Sequence, residues 1–279
     1  MSMFKNAPKI LGHISCLQTG NFVLNDYILN KSIDGVNLFH RYCPHRMYPL
    51  HQTGEIVDEI FCKFHGFKWD KNGKSINNSK NIACGKADVG KSGLIFKNFM
   101  EPNHEWIQDI KLEKNLKYSH CFTGKSKGSY LWLMDAEADL LHLYKDGIHP
   151  FLSKQINLEN IKMQQGNDWI LQEHPNGWWL YIFPYSFIEY GRPGMLMINR
   201  VTPHDENSEY GFDWITQFYY DDSVDCNNRM IFETLENVFK EDVLAIEKQK
   251  GKYFPLMKST NKYEDHCVHF GQWVMKNKE

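Results

Sequence analysis

Short apolar runs of β type recur through the first third of the chain. They include Asn21–Leu24, Val36–Phe39 and Ile60–Phe64, and the segments between them are rich in Gly, Asn, Asp and Pro. Such runs with turn residues between them are typical of antiparallel strands. Residues 72–93, rich in Gly, Lys, Asn and Ser, are expected to form loops. The pattern predicts a small antiparallel β unit.

Helical and strand-like patterns follow one another in the rest of the chain. Apolar positions recur at helical spacing from Tyr130 to Asp146, and Gly147 and Pro150 then end the pattern. The longest helical pattern runs from Ile231 to Lys250, with Gly251 as its stop. Between the two helices, strand-like stretches cover residues 177–183, 194–201 and 211–220.

These patterns predict an α+β chain with two domains. An N-terminal antiparallel β domain is expected over residues 1–115, and a domain with an antiparallel sheet and long helices over residues 116–279. A length of 279 residues is consistent with about two domains.

Composition and charge narrow the class of protein. The chain is 42% hydrophobic and 24% charged, which is close to a globular average. The formal net charge of −2 argues against binding to nucleic acid. The longest apolar run, Trp178–Phe183, is too short to span a membrane, and the N-terminus has no apolar signal region. The seven Cys lack the spacing of a disulfide scaffold, so we expect a cytoplasmic protein.

Two short motifs each offer one thiolate and one imidazole. The first contains Cys43 and His45, and the second, after sixteen intervening residues, contains Cys62 and His65. A Rieske [2Fe-2S] cluster needs two Cys on one iron and two His on the other. A single tetrahedral zinc ion and four unrelated loop residues are the alternatives, but zinc fingers usually pair Cys with Cys and His with His. The mixed motifs favour the Rieske cluster.

A second group of residues that could bind a metal lies in the two predicted helices. Asp139 and His142 stand three residues apart, a spacing at which a carboxylate orients a metal-bound imidazole. Asp242 is a lone carboxylate on the apolar stripe of the long helix. Two His and one carboxylate are the ligand set of non-haem Fe(II) oxygenases. A solvated helix edge is the alternative explanation of Asp139 and His142.

Both groups together resemble the Rieske non-haem iron oxygenases, which include ring-hydroxylating α subunits, monooxygenases and demethylases. Cys43-Pro44-His45-Arg46 and Cys62-Lys63-Phe64-His65-Gly66 are similar to the cluster loops of that family, although Met47 stands where the family usually has Gly. Residues 132–150 are similar to its segment with the first two iron ligands, and Asp242 to its third ligand. The resemblance implies a helix-grip-like C-terminal sheet.

The resemblance implies His142, His149 and Asp242 as ligands of a mononuclear Fe(II). The family usually places four residues between its two His ligands, whereas six separate His142 from His149 here. On a straight helix the two His would lie about 10 Å apart along the axis. The helix must therefore break, for which Lys145-Asp146-Gly147 is the expected position. Otherwise His149 is a loop residue and another group completes the site.

The resemblance also implies partners and a role for Asp139. A separate NAD(P)H-dependent reductase, with or without a ferredoxin, would reduce the cluster, and O2 would react beside a small organic substrate at the Fe(II). In the family the chains form a head-to-tail homotrimer, in which Asp139 would bridge to His65 of the next chain. An electron-transfer Rieske protein without a competent iron site and a zinc-stabilised binding module are the alternatives.

Overall fold

The computed structural model describes residues 4, 7–33, 35–98, 110, 112, 115–143, 147–149, 154, 156–192, 194–205, 207–224 and 229–278. Within residues 7–98 the chain forms short strands, as the apolar runs predict. They are β1 (Lys9–His13), β2 (Asn21–Val23), β3 (Tyr27–Ser32), β4 (Gly35–His40), β5 (Ile56–Val57), β6 (Ile60–Phe61), β7 (Lys68–Trp69), β8 (Ala83–Val89) and β9 (Leu94–Lys97).

Seven of these strands form an antiparallel sheet in the order β1-β9-β8-β4-β3-β2-β5, and β6 pairs with β7. The expectation that residues 72–93 are loops is wrong for β8, which pairs with β4. Only Ala87 of β8 is buried, so this strand has no alternating apolar signal. Its partner strand, rather than its own sequence, determines its conformation.

The second half of the chain forms one larger antiparallel sheet and three α-helices among the described residues. The strands are β10 (Lys117–Ser129), β11 (Lys162–Gln165), β12 (Trp169–His174), β13 (Gly177–Ile182), β14 (Ser186–Arg192), β15 (Met195–Pro203) and β16 (Tyr210–Tyr220). The helices are α1 (Tyr130–Ala138), α2 (Arg229–Lys248) and α3 (Asp265–Asn277). The sheet order is β10-β16-β15-β14-β13-β12-β11. The predicted α+β class, with an antiparallel β domain before a sheet-and-helix domain, is confirmed.

The first predicted helix is shorter than its pattern indicates. α1 ends at Ala138, and the chain continues as a 3-10 turn over Leu140–Leu143. Asp139 adopts an extended backbone, and its Oδ1 accepts a hydrogen bond of 2.8 Å from the N–H of Leu141. An aspartate that bonds to a nearby backbone N–H competes with helix continuation. The break therefore precedes His142. Of the predicted break, Lys145 and Asp146 lie outside the described residues.

The larger sheet has a different neighbour on each face. One face packs against the first sheet, with Leu180, Ile188 and Ile215 in one core with Ile10 and Phe96. The other face packs against the helices through a second core. This second core includes Tyr130, Leu133, Trp179, Tyr181, Phe239 and Ile246. None of the described helices is both long enough and apolar enough to cross a membrane.

Candidate metal centres

The two predicted cluster loops have the same backbone hydrogen bonds. In the first, the N–H of Cys43 donates to the carbonyl of Tyr48, and the N–H of Met47 donates back to the carbonyl of Cys43, both at 2.8 Å. The Cys residue thus closes a tight turn around the imidazole that follows it. Met47 has a positive φ of 53°, in the left-handed region.

The second loop repeats this turn. The N–H of Cys62 donates to Phe67 at 2.7 Å, and the N–H of Gly66 donates to Cys62 at 2.8 Å. Gly66, with a φ of 70°, is equivalent to Met47. The left-handed backbone at this position explains a preference for Gly, which has no Cβ to clash.

The four predicted ligands lie together at the ends of these loops. Cys43 and Cys62 are buried in the same core, and their thiols interact closely enough for Cys62 to contribute to the raised pKa of Cys43, after the larger effect of burial. The Nδ1 atoms of His45 and His65 are 3.2 Å apart. Two nitrogen ligands of one tetrahedral metal would lie about 3.4 Å apart. The donor set therefore fits a cluster with a buried Cys pair and an outer His pair.

The His side of these loops is exposed and apolar at its margin. His45 and His65 are both exposed, and Tyr48 and Phe64 stack on each other with ring centroids 5.5 Å apart. Met47 is 68% exposed. Exposed apolar side chains that form one group are typical of a protein contact surface. The outer edge of the loops is thus suited to contact with another protein chain.

The second predicted centre is assembled from three separated segments. His142 lies in the 3-10 turn after α1, His149 follows an undescribed gap, and Asp242 lies on α2. Their ligand atoms all lie within 4.8 Å of one another. The imidazole rings have centroids 5.1 Å apart, because the helix has already ended at Ala138. The six-residue spacing therefore does not separate the two His.

Hydrogen bonds orient both imidazoles toward the centre of this group. The Nδ1 of His142 bonds to the carbonyl oxygen of Asp139, which leaves its Nε2 for a metal. The sequence pattern predicts this bond from the carboxylate of Asp139, and the backbone carbonyl takes that place. The Nδ1 of His149 lies 2.8 Å from the carboxylate of Glu241, and its Nε2 lies 2.9 Å from Asp242. A carboxylate on the remote nitrogen is the usual support of a metal-bound His.

The protonation tendencies suit a cation site. Asp242 is only 2% exposed, and a buried carboxylate requires a positive partner. Burial lowers the pKa of His142, which favours the neutral imidazole that binds metals. Burial alone would lower the pKa of His149 as well, but its bonds to Asp242 and Glu241 raise it. The raised pKa favours the protonated form of His149 between the two carboxylates, and a metal ion bound there would take the place of that proton. With His149 deprotonated, the three side chains form a suitable ligand set for non-haem Fe(II).

A cavity of about 620 Å³ opens beside these residues. A row of directly paired residues crosses four neighbouring strand pairs and forms its sheet wall. The row consists of Gln172, Trp179, Glu189, Met197 and Phe218, all of which line the cavity. α2 forms the opposite wall with Leu235, Val238, Phe239 and Asp242. The candidate metal ligands thus lie at the wall of a cavity of ligand size.

Sequence reasoning missed three polar residues of this wall. Gln172 is fully buried, and its amide donates a 2.9 Å bond to the carbonyl of Ala138, the last residue of α1. Glu137 and Glu189 add two carboxylates. Alternation along β12 and β14 would have placed Gln172 and Glu189 on one sheet face, but the contact of Gln172 with α1 depends on the fold.

Burial changes the acidity of both glutamates. Burial and then the charge of Asp242 raise the pKa of Glu137 well above its ordinary range and that of Glu189 to about 8. Glu137 is 8% exposed, and its Oε1 accepts no hydrogen bond from the described residues. Glu189 Oε1 accepts a 2.9 Å bond from Asn199. The wall thus carries two carboxyl groups beyond that of Asp242, and a positive charge beside them would favour their ionised forms.

Comparison with known proteins identifies a domain family and structures with a similar fold. Residues 15–86 match the family of Rieske [2Fe-2S] domains. No curated protein matches the sequence. The chain is similar in structure to the quaternary ammonium Rieske monooxygenase CntA, with a TM-score of 0.73, 14% identity, and coverage of 99% of this chain and 92% of that one.

Two further solved structures share the fold over nearly the whole chain. NdmA of Pseudomonas putida CBB5 has a TM-score of 0.55 and 15% identity, with coverage of 97% of this chain and 89% of that one. Dicamba monooxygenase, bound to dicamba, has a TM-score of 0.54 and 15% identity, with coverage of 100% and 98%. The resemblance indicated by the two cluster loops is confirmed, for the Rieske domain by the family match and for the whole chain by the fold.

Proposed function

We propose that this chain, with a Rieske domain and the fold of the Rieske monooxygenases, is an oxygenase that uses O2 to hydroxylate or oxidatively demethylate a small organic molecule. Cys43, His45, Cys62 and His65 would hold the [2Fe-2S] cluster, and His142, His149 and Asp242 a mononuclear Fe(II). Electrons would come from NAD(P)H through a separate reductase. CntA and dicamba monooxygenase, two of the solved structures with this fold, carry the names of monooxygenases, which favours that chemistry over dihydroxylation.

The observation that carries the proposal is the meeting of His142, His149 and Asp242 at the wall of a cavity. Iron held there would supply the activation of O2, and the cluster would supply electrons. The chain's own residues orient the ligands and exclude water. Asp139 and Glu241 fix the imidazoles, while the aromatic wall formed by Trp179, Tyr181 and Phe239 encloses the substrate.

A Rieske electron-transfer protein is the alternative function. Such a protein needs the cluster domain alone and has no use for a buried acid on α2 beside two His. Asp242 is 2% exposed and lies next to a cavity, which would be a costly arrangement without a cation. The oxygenase is therefore the better-supported proposal.

Metal analysis tests the proposal directly. Anaerobically purified protein should contain three irons and two acid-labile sulfides per chain if both sites fill as proposed. Asp242→Ala should lose the mononuclear iron and substrate-dependent O2 uptake and keep the cluster spectrum. A wild-type ratio of two irons to two sulfides that persists after addition of Fe(II) would leave the electron-transfer protein as the function.

The electron path is proposed to cross between subunits of a homotrimer. The exposed apolar edge formed by Met47, Tyr48 and Phe64 supports a protein contact beside the cluster. Asp139, half-buried beside His142, would bridge to His65 of the adjacent subunit. Light scattering measures the oligomer. In Asp139→Asn the dithionite-reduced cluster should be reoxidised much more slowly by O2 with substrate present, and an unchanged rate would remove Asp139 from the path.

A further inference from the structure

The cavity combines aromatic walls with three carboxyl side chains, those of Glu137, Glu189 and Asp242. Trp179 and Glu189 are directly paired across β13 and β14, so their side chains share the face that lines the cavity. Tyr181 and Phe239 also line it. Among the described residues of the lining there is no Lys or Arg to balance the carboxylates.

Glu137 is the residue that most requires an external partner. It is 8% exposed, its Oε1 accepts no hydrogen bond within the described part of the chain, and its side chain lines the cavity. A buried acceptor without a partner is destabilising, and more so when it is charged. A ligand that supplies positive charge there would remove this cost.

Glu189 is fixed in place rather than free to turn away. Its Oε1 accepts from the amide of Asn199 at 2.9 Å, and the Oδ1 of that amide accepts from the hydroxyl of Thr216 at 2.6 Å. Asn199 and Thr216 are both fully buried. The chain of bonds holds the carboxylate at the sheet wall of the cavity.

The iron of the proposed function does not by itself neutralise the three carboxyl groups of the cavity when all of them are ionised. Fe(II) together with the single carboxylate of Asp242 keeps one positive charge. Glu137 and Glu189, if ionised, would exceed that charge by one. The balance leaves a place for one further monovalent cation, and aromatic rings are the usual surroundings of an organic ammonium group.

We propose that the substrate is a small organic cation, whose positive charge lies against Glu137 and Glu189 and among the rings of Trp179 and Tyr181. The proposal rests on the proposed function, since it assigns the ligand of the same cavity. It makes Glu137 and Glu189 substrate-recognition residues in addition to the three metal ligands.

A pair of isosteric probes separates charge from shape. Choline and 3,3-dimethylbutan-1-ol have nearly the same size and differ in a quaternary nitrogen against a carbon atom. Calorimetric titration of the iron-loaded, anaerobic protein should give about tenfold or more tighter binding of choline, from cation–π and charge interactions. Equal affinity of the two probes would overturn the proposal.

Variants assign that preference to the carboxylates. Glu137→Gln and Glu189→Gln should each lower choline affinity several-fold and leave the affinity of the neutral alcohol unchanged. Glu173→Gln is the matched control, since Glu173 lies on β12 between two residues that line the cavity and is not part of the lining. An equal loss for both probes would mean a structural role and would contradict the proposal.

Metal content keeps the two proposals apart. If the iron is the cation that Glu137 serves, Glu137→Gln should lower the mononuclear iron content and leave the choline preference intact, which would overturn the cation-binding role. If the chain binds no mononuclear iron, the proposed oxygenase fails. The preference for choline over the alcohol is then still measurable, because it depends on the cavity and not on turnover.

Discussion

The two candidate metal centres of this chain are built in opposite ways. The four donors of the cluster lie in two equivalent turns within residues 43–65, and each turn is closed by its own backbone hydrogen bonds. The donors of the second centre come from residues 142–242, on a 3-10 turn, a following segment and a helix. The first centre is determined by local sequence and the second by tertiary packing, so changes to one should leave the other intact.

The largest effect is expected from a change that removes the [2Fe-2S] cluster, whose ligands lie close together in the sequence. Cys62→Ser should remove both cluster irons and both labile sulfides, because one iron loses half of its protein ligands. The mononuclear iron should remain, since none of its ligands belongs to the cluster loops. Iron and sulfide assays with the visible spectrum measure this result.

Cys84→Ser is the matched control for that variant. Cys84 is half-buried on β8, and its thiol donates to the carbonyl of Leu38 at 3.3 Å, which a hydroxyl can also do. The control should keep the cluster. Simultaneous loss of the mononuclear iron in Cys62→Ser would contradict the independence of the two centres.

The next effect concerns the contact between the two sheets. Asp26, in the turn between β2 and β3, forms an ion pair with Arg200 of β15, and Arg200 is 2% exposed. Asp26→Ala leaves a buried guanidinium without its carboxylate, so we expect a loss of about 3–5 kcal/mol in the free energy of unfolding. Urea denaturation measures it. Asp222→Ala, which breaks the exposed pair with Lys117, should cost less than about 1 kcal/mol.

The same pair predicts an acid dependence of stability. Burial alone would raise the pKa of Asp26, but the charge of Arg200 and its hydrogen bond prevail and lower it. A carboxyl group whose pKa is lower in the folded state stabilises the protein above its unfolded pKa of about 4 and ceases to do so as the pH falls through the folded value. The difference between wild type and Asp26→Ala should therefore shrink below about pH 4. A constant difference down to pH 2.5 would argue against the ionic origin.

A smaller effect is expected at the mononuclear iron site, whose ligands come from separated segments. Glu241 bonds to the Nδ1 of His149 at 2.8 Å, so Glu241→Gln should weaken Fe(II) binding about 10–100-fold while the cluster stays complete. Fe(II) titration of the metal-depleted mononuclear site measures the affinity. Glu236→Gln, on the same helix and paired with Lys240, is the control. An unchanged affinity in Glu241→Gln would mean that packing alone orients His149.

The difference between the two centres also explains which of their residues could be predicted from the sequence. The cluster residues could be identified from spacing because both motifs fold within themselves, and the long helix with Asp242 was recognisable from its apolar stripe. The end of α1 was predicted eight residues too late, since the side-chain bond of Asp139 to Leu141 overrides the helical periodicity. Glu137 carries no local signal, and alternation along β12 indicates only the sheet face of Gln172. Their place at the cavity arises from the packing of α1 on the sheet.

The smallest effect on stability is expected in the two cluster loops, whose turns have equivalent backbones but different sequences. Met47 and Gly66 occupy the same position and both have positive φ, of 53° and 70°. A side chain in the left-handed region costs roughly 1 kcal/mol, and Met47 is too exposed to regain that by burial. Met47→Gly should therefore raise the free energy of unfolding by up to about 1 kcal/mol, and Gly66→Ala should lower it by a similar amount. Denaturant titration of the iron-loaded protein measures both.

A destabilised Met47→Gly variant would mean that the Met47 side chain has a contact that outweighs backbone strain. A second chain would provide that contact at the exposed edge formed with Tyr48 and Phe64. Repeating the titration across protein concentrations decides between the two, because only a contact between chains makes the effect of Met47 depend on concentration.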